Sequence, residues 1–146
     1  MLAKLRAATF EVLETMFFLF PEGLEEDELM PARGPFLCSW VSIIGPQSLR
    51  LGMIVPESLA RKMAANFLGI SEPEVKQPEL EDILKETTNM MAGSFLSKLE
   101  ASSAFQLQTP HARWLSPGEE KPKGPAKRLR FDVDEELLEL FVERES

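Results

Sequence analysis

An amphipathic helical pattern between Pro78 and Glu100 constrains this chain more than any other feature. At about 100° per residue, the apolar residues of this segment fall on one broad side of a helix. They are Ile83, Leu84, Met90, Met91, Phe95 and Leu99. The opposite side collects Asp82, Glu86, Asn89, Gly93 and Ser97. The pattern therefore predicts a long amphipathic helix with an orderly polar face.

The polar face of this helix differs from an ordinary solvated surface. Its centre holds carboxylates, an amide and a glycine, whereas Lys85 and Lys98 lie near its margins. A glycine inside a helix costs roughly 1 kcal/mol relative to alanine, so Gly93 suggests that a second backbone or a bulky partner comes close. The alternative is a surface helix with scattered polar residues and a tolerated glycine. Helix geometry alone does not decide between the two.

The string Asp82-x3-Glu86-x2-Asn89, followed by Met-Met-Ala-Gly, resembles the active-site helix of the CheC/CheX/FliY family of bacterial chemotaxis phosphatases. These proteins remove the phosphoryl group from the response regulator CheY. The resemblance covers nearly the whole chain and is strongest for the CheX members. Residues 10–17, FEVLETMF, are similar to their first helix, and residues 56–70, PESLARKMAANFLGI, to a later one.

The resemblance implies roles for the residues that match the motif. The asparagine of the family orients the attacking water, and its glutamate pairs with a lysine of the regulator, which makes Asn89 and Glu86 the expected catalytic residues. Asp82 occupies a position where the family has Asp or Ser and is expected to support them. CheC-type relatives carry a second Glu-x2-Asn site on their first helix. It is absent here, because Glu14 is followed three positions later by Phe17.

Three further residues complete the expected partner-binding surface. Gly93 and Ser97 lie on the same helical face as the motif, and Pro110 matches a family proline that closes the strand after the active-site helix. The expected partner is the phosphorylated receiver domain of a CheY-like response regulator. The resemblance implies that this chain binds no cofactor itself and that the Mg²⁺ belongs to the receiver.

Two functions of different classes follow from these residues. The first is an enzyme that dephosphorylates an aspartyl phosphate by orienting the attacking water. The second is a non-catalytic adaptor that binds a receiver domain or a flagellar component through the same helix. CheX-type relatives can dimerise through their sheets, so a homodimer is a further expectation from the resemblance.

Composition excludes several other classes. A chain of 146 residues with 44% apolar and 27% charged residues predicts one globular domain over residues 1–146. A net charge of -8 argues against nucleic-acid binding. The lone Cys38 lies in an apolar run and reads as a buried, inert thiol, and the lone His111 leaves zinc sites and Cys-His or Ser-His-Asp sites poorly supported.

The chain shows no pattern typical of membrane insertion or export. Its longest apolar run, Met16 to Phe20, is far shorter than the ~20 residues that span a bilayer. The first residues combine acidic and apolar positions in a helical pattern and lack a signal-peptide layout. These observations predict a cytoplasmic protein with no membrane partner.

The remaining periodicities predict the other elements. Residues 2–19 predict a helix, residues 22–34 a solvated acidic loop rather than a cation site, and residues 36–44 and 49–55 an antiparallel hairpin. Pro56 opens a second helix, which ends at Gly69. A strand over residues 104–109 is expected to end at Pro110.

The last third of the chain is harder to interpret. Residues 111–127 predict a mobile, charged loop rather than a basic docking patch, although Lys121, Lys123, Lys127, Arg128 and Arg130 cluster there. Residues 137–143 suit a helix or a strand equally, and only the family pattern favours two strands that turn near Asp134 and Glu135. The expected fold is α/β (α+β), a mostly antiparallel sheet with two long helices packed on one face.

Overall fold

An antiparallel sheet with three helices on one face forms the computed structural model of this chain, which describes residues 1–99, 104–119 and 127–145. The helices are α1 (Leu2–Phe17), α2 (Glu57–Leu68) and α3 (Gln77–Ser97). The strands are β1 (Glu22–Gly23), β2 (Phe36–Ile44), β3 (Leu49–Pro56), β4 (Gln106–Leu107), β5 (His111–Trp114), β6 (Lys127–Val133) and β7 (Glu136–Arg144). The strand order is β1-β6-β7-β3-β2, and both β4 and β5 pair with the free side of β2. The predicted fold class is confirmed.

The two predicted hairpins form as expected. Strands β2 and β3 pair with Leu37 opposite Val55. Strands β6 and β7 turn at Asp134 and Glu135, which both have positive φ angles, 55° and 68°. Strand β7 is buried on both faces over most of its length, as central strands are, so its apolar residues do not alternate strictly. This is why periodicity alone did not separate helix from strand there.

The helix ends follow local chemistry. Helix α2 begins after Pro56 and ends at Gly69, which has φ 70° and closes the helix in the left-handed conformation that glycine favours. Helix α3 begins where the carboxylate of Glu79 accepts a hydrogen bond of 2.8 Å from the backbone N–H of Lys76. The predicted helices are therefore confirmed, although α3 ends at Ser97 and the predicted end at Glu100 lies outside the described residues.

The strand predicted over residues 104–109 forms only at Gln106–Leu107, and it ends before Pro110 as expected. After Pro110 the chain pairs with β2 again as β5, with His111 opposite Trp40, which the sequence did not predict. The pair of Ile43 with Leu107 lies on the other side of Pro110. From Trp40 to Ile43, β2 spans three residue steps, whereas the opposing segment spans four steps from Leu107 to His111. A β-bulge thus separates β4 from β5, and Pro110, which has no N–H to donate, lies within it.

The loop predictions are partly wrong. Residues 111–114 and Lys127 belong to strands rather than to a mobile loop, because both segments find partners distant in the sequence. Within the acidic segment 22–34, the two residues of β1 pair with β6. The predicted basic residues Lys121 and Lys123 lie outside the described residues.

The main core lies between the helices and the inner face of the sheet. Phe17, Phe95 and Phe131 are its largest fully buried side chains. On the outer face, Cys38, Ile54 and Phe141 form a smaller buried cluster. Burial raises the pKa of the Cys38 thiol to about 11, which agrees with the expectation of an inert thiol.

Candidate functional site

The predicted polar face of α3 is the side of the helix turned away from the core. Asp82, Glu86, Gly93 and Ser97 are exposed, and Asn89 is half-buried. Glu86 and Asn89 are three residues apart on a helix, so their Cβ atoms lie about 5–6 Å from each other. Met90 and Leu99 are the exceptions on the apolar side, because both are only half-buried at the margin of the core.

Buried hydroxyl groups determine how α3 is rotated against the sheet. Ser39 on the inner face of β2 donates a hydrogen bond of 3.1 Å to the carbonyl oxygen of Leu84. Thr88 donates to the same oxygen at 2.9 Å, and the hydroxyls of Ser39 and Thr88 also contact each other. Because this cluster holds one side of α3 on β2, the opposite side, with Glu86 and Asn89, faces outward.

Two polar contacts hold the flanks of the helix. On the side of β5, the indole N–H of Trp114 donates a hydrogen bond of 2.9 Å to the carboxylate of Glu81. On the side of α1, Glu11 accepts hydrogen bonds from Ser94 at 2.7 Å and from Lys98 at 2.5 Å. These contacts lower the pKa of the Glu11 carboxyl, with the Lys98 bond as the largest cause. The polar face thus lies on a helix held from below and from both sides.

The two residues assigned to catalysis are free to contact a partner. Neither the Glu86 side chain nor the Asn89 side chain makes a hydrogen bond or an ion pair with any residue in the described ranges. Asp82 pairs with Lys85 at 3.6 Å, and the Ser97 hydroxyl donates to the carbonyl oxygen of Ser94 at 2.8 Å. A free carboxylate therefore stands beside a free amide on a rigid element.

Gly93 is not explained by packing within the described chain. A Cβ atom at this position would meet no atom within 4 Å. Gly52 behaves differently, since a Cβ there would lie 2.8 Å from the carbonyl oxygen of Ser39 and would clash with the ring of Phe141. The open space over Gly93 leaves room for another molecule to approach the helix backbone beside Glu86 and Asn89.

The structure does not place Pro110 on α3 with the other predicted residues. It is half-buried in the bulge of the strand that flanks this helix, immediately before β5. Trp114 of β5 contacts Glu81, and Glu81 and Asn89 are only about 80° apart around the helix axis. Asn89 therefore lies towards the side of α3 that faces β5.

The polar face of α3 offers negative charge, and the described residues form no metal centre. Within the described ranges, no group of three or more His, Cys, Asp and Glu side chains could hold a metal ion. The polar face combines the Glu86 carboxylate with a neutral amide, a set that can pair with a cation and position a water molecule. None of the helices formed by the described residues is long and apolar enough to cross a membrane.

Sequence reasoning missed the residues that support this face. Thr87 and Thr88 are fully buried, and Ser39, Trp114 and Glu11 come from elements distant in the sequence. One signal existed for the threonines, because the helical period places them on the apolar side. No local pattern indicated the contacts with Ser39 or Trp114.

The family model described as chemotaxis phosphatase CheX matches residues 37–122, which is more than half of the chain and includes all of α3. The chain belongs to the CheX family. No curated protein matches the sequence.

Solved structures of CheX proteins share the fold. CheX from Vibrio vulnificus is similar with a TM-score of 0.80 and 21% identity over 98% of this chain and 95% of that chain. CheX from Desulfovibrio desulfuricans has a TM-score of 0.75 and 20% identity over 98% and 97%. The CheX-CheY-BeF3-Mg complex from Borrelia burgdorferi has a TM-score of 0.74 and 16% identity over 99% and 97%. At these identities the likeness establishes the fold.

Proposed function

We propose that this CheX family member removes the phosphoryl group from the aspartyl phosphate of a CheY-like response regulator in the cytoplasm. One observation carries the proposal. Glu86 and Asn89 project from one exposed helical face, without partners among the described residues, beside a glycine whose missing Cβ faces open space. The membership of the chain in the CheX family supports this activity.

The reaction requires little chemistry from the phosphatase, because the receiver domain supplies most of the reacting groups. An aspartyl phosphate is an acyl phosphate, and its hydrolysis needs in-line attack by water while the charge on the phosphoryl oxygens is neutralised. A receiver domain supplies a divalent metal, a lysine and a hydroxyl in its own site. The phosphatase therefore contributes mainly by orienting the attacking water molecule, which is catalysis by orientation.

Asn89 is suited to place the water. Its amide offers a donor and an acceptor on one side chain, so it can hold the water oxygen and one of its protons at the same time. It is neutral and does not repel an anionic phosphoryl group. Its half-buried position on α3 limits its freedom, so the water would be held in one direction.

Glu86 is suited to hold the receiver rather than to contact the phosphoryl group. A carboxylate beside the phosphoryl oxygens would repel them, whereas it would attract the lysine of a receiver site. Asp82 and Ser97 extend this docking surface along α3, and the absence of a side chain at Gly93 would let the receiver lie close to the helix. Pro110 is proposed to border the surface on the β5 side.

The partner class is supported by one of the similar structures. CheX from Borrelia burgdorferi forms a complex with CheY, BeF3 and Mg²⁺. The present chain covers 97% of that CheX chain, so no large part of the fold differs. In the proposed complex the Mg²⁺ belongs to the receiver.

The test is the decay of a phosphorylated CheY-like receiver from the same genome, alone and with this protein. We expect the wild-type protein to accelerate phosphate loss, and Asn89→Ala to reduce the acceleration about a hundredfold, because the water loses its orientation. Glu14→Ala is the control, since Glu14 is exposed on α1. Circular dichroism should show the same fold for both variants.

Two results would contradict the proposal. Full acceleration by Asn89→Ala would remove the assigned role of the amide. Binding of the phosphorylated receiver with no change in its decay would favour the non-catalytic adaptor instead.

A further inference from the structure

A groove with positive charge lies on the opposite edge of the sheet from β4 and β5. It runs between the start of α1, the segment after β1 and the first residues of β6. Its cations include Arg6, Lys127 and Arg128, and its apolar part includes Leu2, Leu24 and Leu129. The proposed function uses none of these residues.

No strand among the described residues covers the backbone of β6 before Arg130 at this edge. Strand β1 pairs only with Phe131 and Asp132. Beyond it, the N–H of Leu24 donates to the carbonyl oxygen of Arg130 at 3.0 Å, which shows that the backbone groups of Arg130 point away from β7. Because these directions alternate along a strand, the N–H and C=O of Arg128 point to the same side. No strand among the described residues pairs with Arg128 there.

The cations of the groove are not neutralised within the described chain. Lys127 and Arg128 are exposed and form no ion pair with a described residue. The guanidinium of Arg6 lies 5.7 Å from the centre of the Phe131 ring rather than on a carboxylate. Glu25 and Glu26 also line the groove, but neither carboxylate forms an ion pair with a described cation. Arg130, the fourth cation of the groove, donates hydrogen bonds to the carbonyl oxygens of Glu25 and Glu28 at 3.4 and 2.6 Å. Unpaired positive charge is therefore concentrated here on a chain whose net charge is -8.

We propose that this groove binds an extended acidic peptide segment of another protein, which adds to the sheet as a strand beside β6 at Arg128. The backbone groups of Arg128 would supply main-chain hydrogen bonds, and alternate side chains of the peptide would meet Arg128 on one face of the strand and Leu129 on the other. This occupant fits better than a second copy of the chain. Antiparallel pairing of two β6 edges would bring Lys127 and Arg128 of both copies together, and like charges across strands are destabilising.

The probe is a fluorescent peptide of about seven residues that alternates valine and glutamate, the length of an ordinary strand. Its anisotropy on titration with the full chain measures binding. We expect Arg128→Glu to weaken binding about tenfold, because attraction becomes repulsion. Arg33→Glu is the matched control, since it makes the same charge change at an exposed residue outside the groove and should leave binding unchanged.

A second peptide separates strand addition from simple charge attraction. Methylating alternate backbone nitrogens, on the edge that would face β6, removes the donors without changing the charge, and we expect binding to be lost. Equal binding of the methylated peptide, or unchanged binding by Arg128→Glu, would overturn the proposal. So would light scattering that shows a dimer which the peptide dissociates, because a second copy would then occupy the edge. None of these readouts depends on Asn89 or on phosphatase activity.

Discussion

Ser39 and Leu84 are joined by a hydrogen bond of 3.1 Å from the serine hydroxyl to the helix carbonyl, and this bond links the middle of β2 to α3. Ser39 is fully buried, so the bond is shielded from water. It lies on the side of α3 opposite to the polar face. The orientation of the candidate site therefore depends on a residue about fifty positions away in the sequence.

Ser39→Ala should lower the free energy of unfolding by about 1 kcal/mol. The loss is moderate because Thr88 still donates to the Leu84 carbonyl oxygen. Urea unfolding measures the change, and Ser48→Ala is the control, since the Ser48 hydroxyl bonds to no described residue. Equal stability of the two variants would show that the Ser39 bond does not hold the helix.

Gly93→Ala should raise the free energy of unfolding by up to about 1 kcal/mol, because alanine favours the helix and its Cβ meets no atom. The same substitution should reduce acceleration of receiver dephosphorylation if the receiver lies against the helix at this point. Thermal unfolding and the decay assay measure the two effects. A more stable variant with full activity would show that no partner approaches Gly93.

Gly52→Ala is the matched substitution at a packed glycine. It should destabilise the fold, because its Cβ would clash with the Phe141 ring and lie 2.8 Å from a backbone oxygen. Opposite signs for the two glycines in one thermal unfolding series would separate a packing requirement from a docking requirement.

Glu86→Gln should raise the receiver concentration needed for half-maximal acceleration by about tenfold, through loss of a charge-assisted pair with the receiver lysine. The fold should be unchanged, since Glu86 contacts no described residue through a polar bond. Glu14→Gln on α1 is the equivalent change outside the polar face. A similar effect from both variants would point to long-range charge rather than to docking at Glu86.

Cys38 should resist alkylation by iodoacetamide in the native protein at pH 8. Its side chain is buried, and a pKa of about 11 rather than 9.0 leaves about a hundredfold less thiolate than an ordinary cysteine has. Mass spectrometry should show modification only after unfolding in guanidinium chloride. Rapid labelling of the native protein would contradict the buried position of this strand.

Glu119 should titrate with a pKa of about 2. Its carboxylate accepts two hydrogen bonds from Arg113 and one of 2.8 Å from the N–H of Ser116, and the Arg113 bonds are the largest cause. Since the folded pKa lies below the ordinary value of 4.5, this contact stabilises the fold above pH 4.5, and the contribution is lost as the pH falls towards 2. An NMR titration of the carboxyl carbon measures it, and a midpoint near 4.5 would show that the contact is absent.

The parts of this protein that sequence reasoning predicted are those governed by local physics. The period of α3 separated its buried side from the exposed residues Asp82, Glu86 and Gly93, because a helix repeats every 3.6 residues whatever lies beneath it. The sequence also predicted the end of α2 at Gly69, because glycine readily adopts the left-handed conformation that closes a helix. The family motif added roles that no periodicity could supply.

Tertiary structure decided what depends on partners distant in the chain. Pro110 signalled an interruption, but only pairing with β2 determined that the strand resumes after a bulge. The sequence predicts Lys127 in a loop, but pairing with β7 places it in the sheet, and no strand among the described residues pairs with the outer edge beside Arg128. Strand pairing and burial depend on which segments meet in space, whereas helical period and capping act between near neighbours. The amino-acid sequence by itself therefore determined the face of α3, and only the tertiary structure decided which way that face points and what surrounds it.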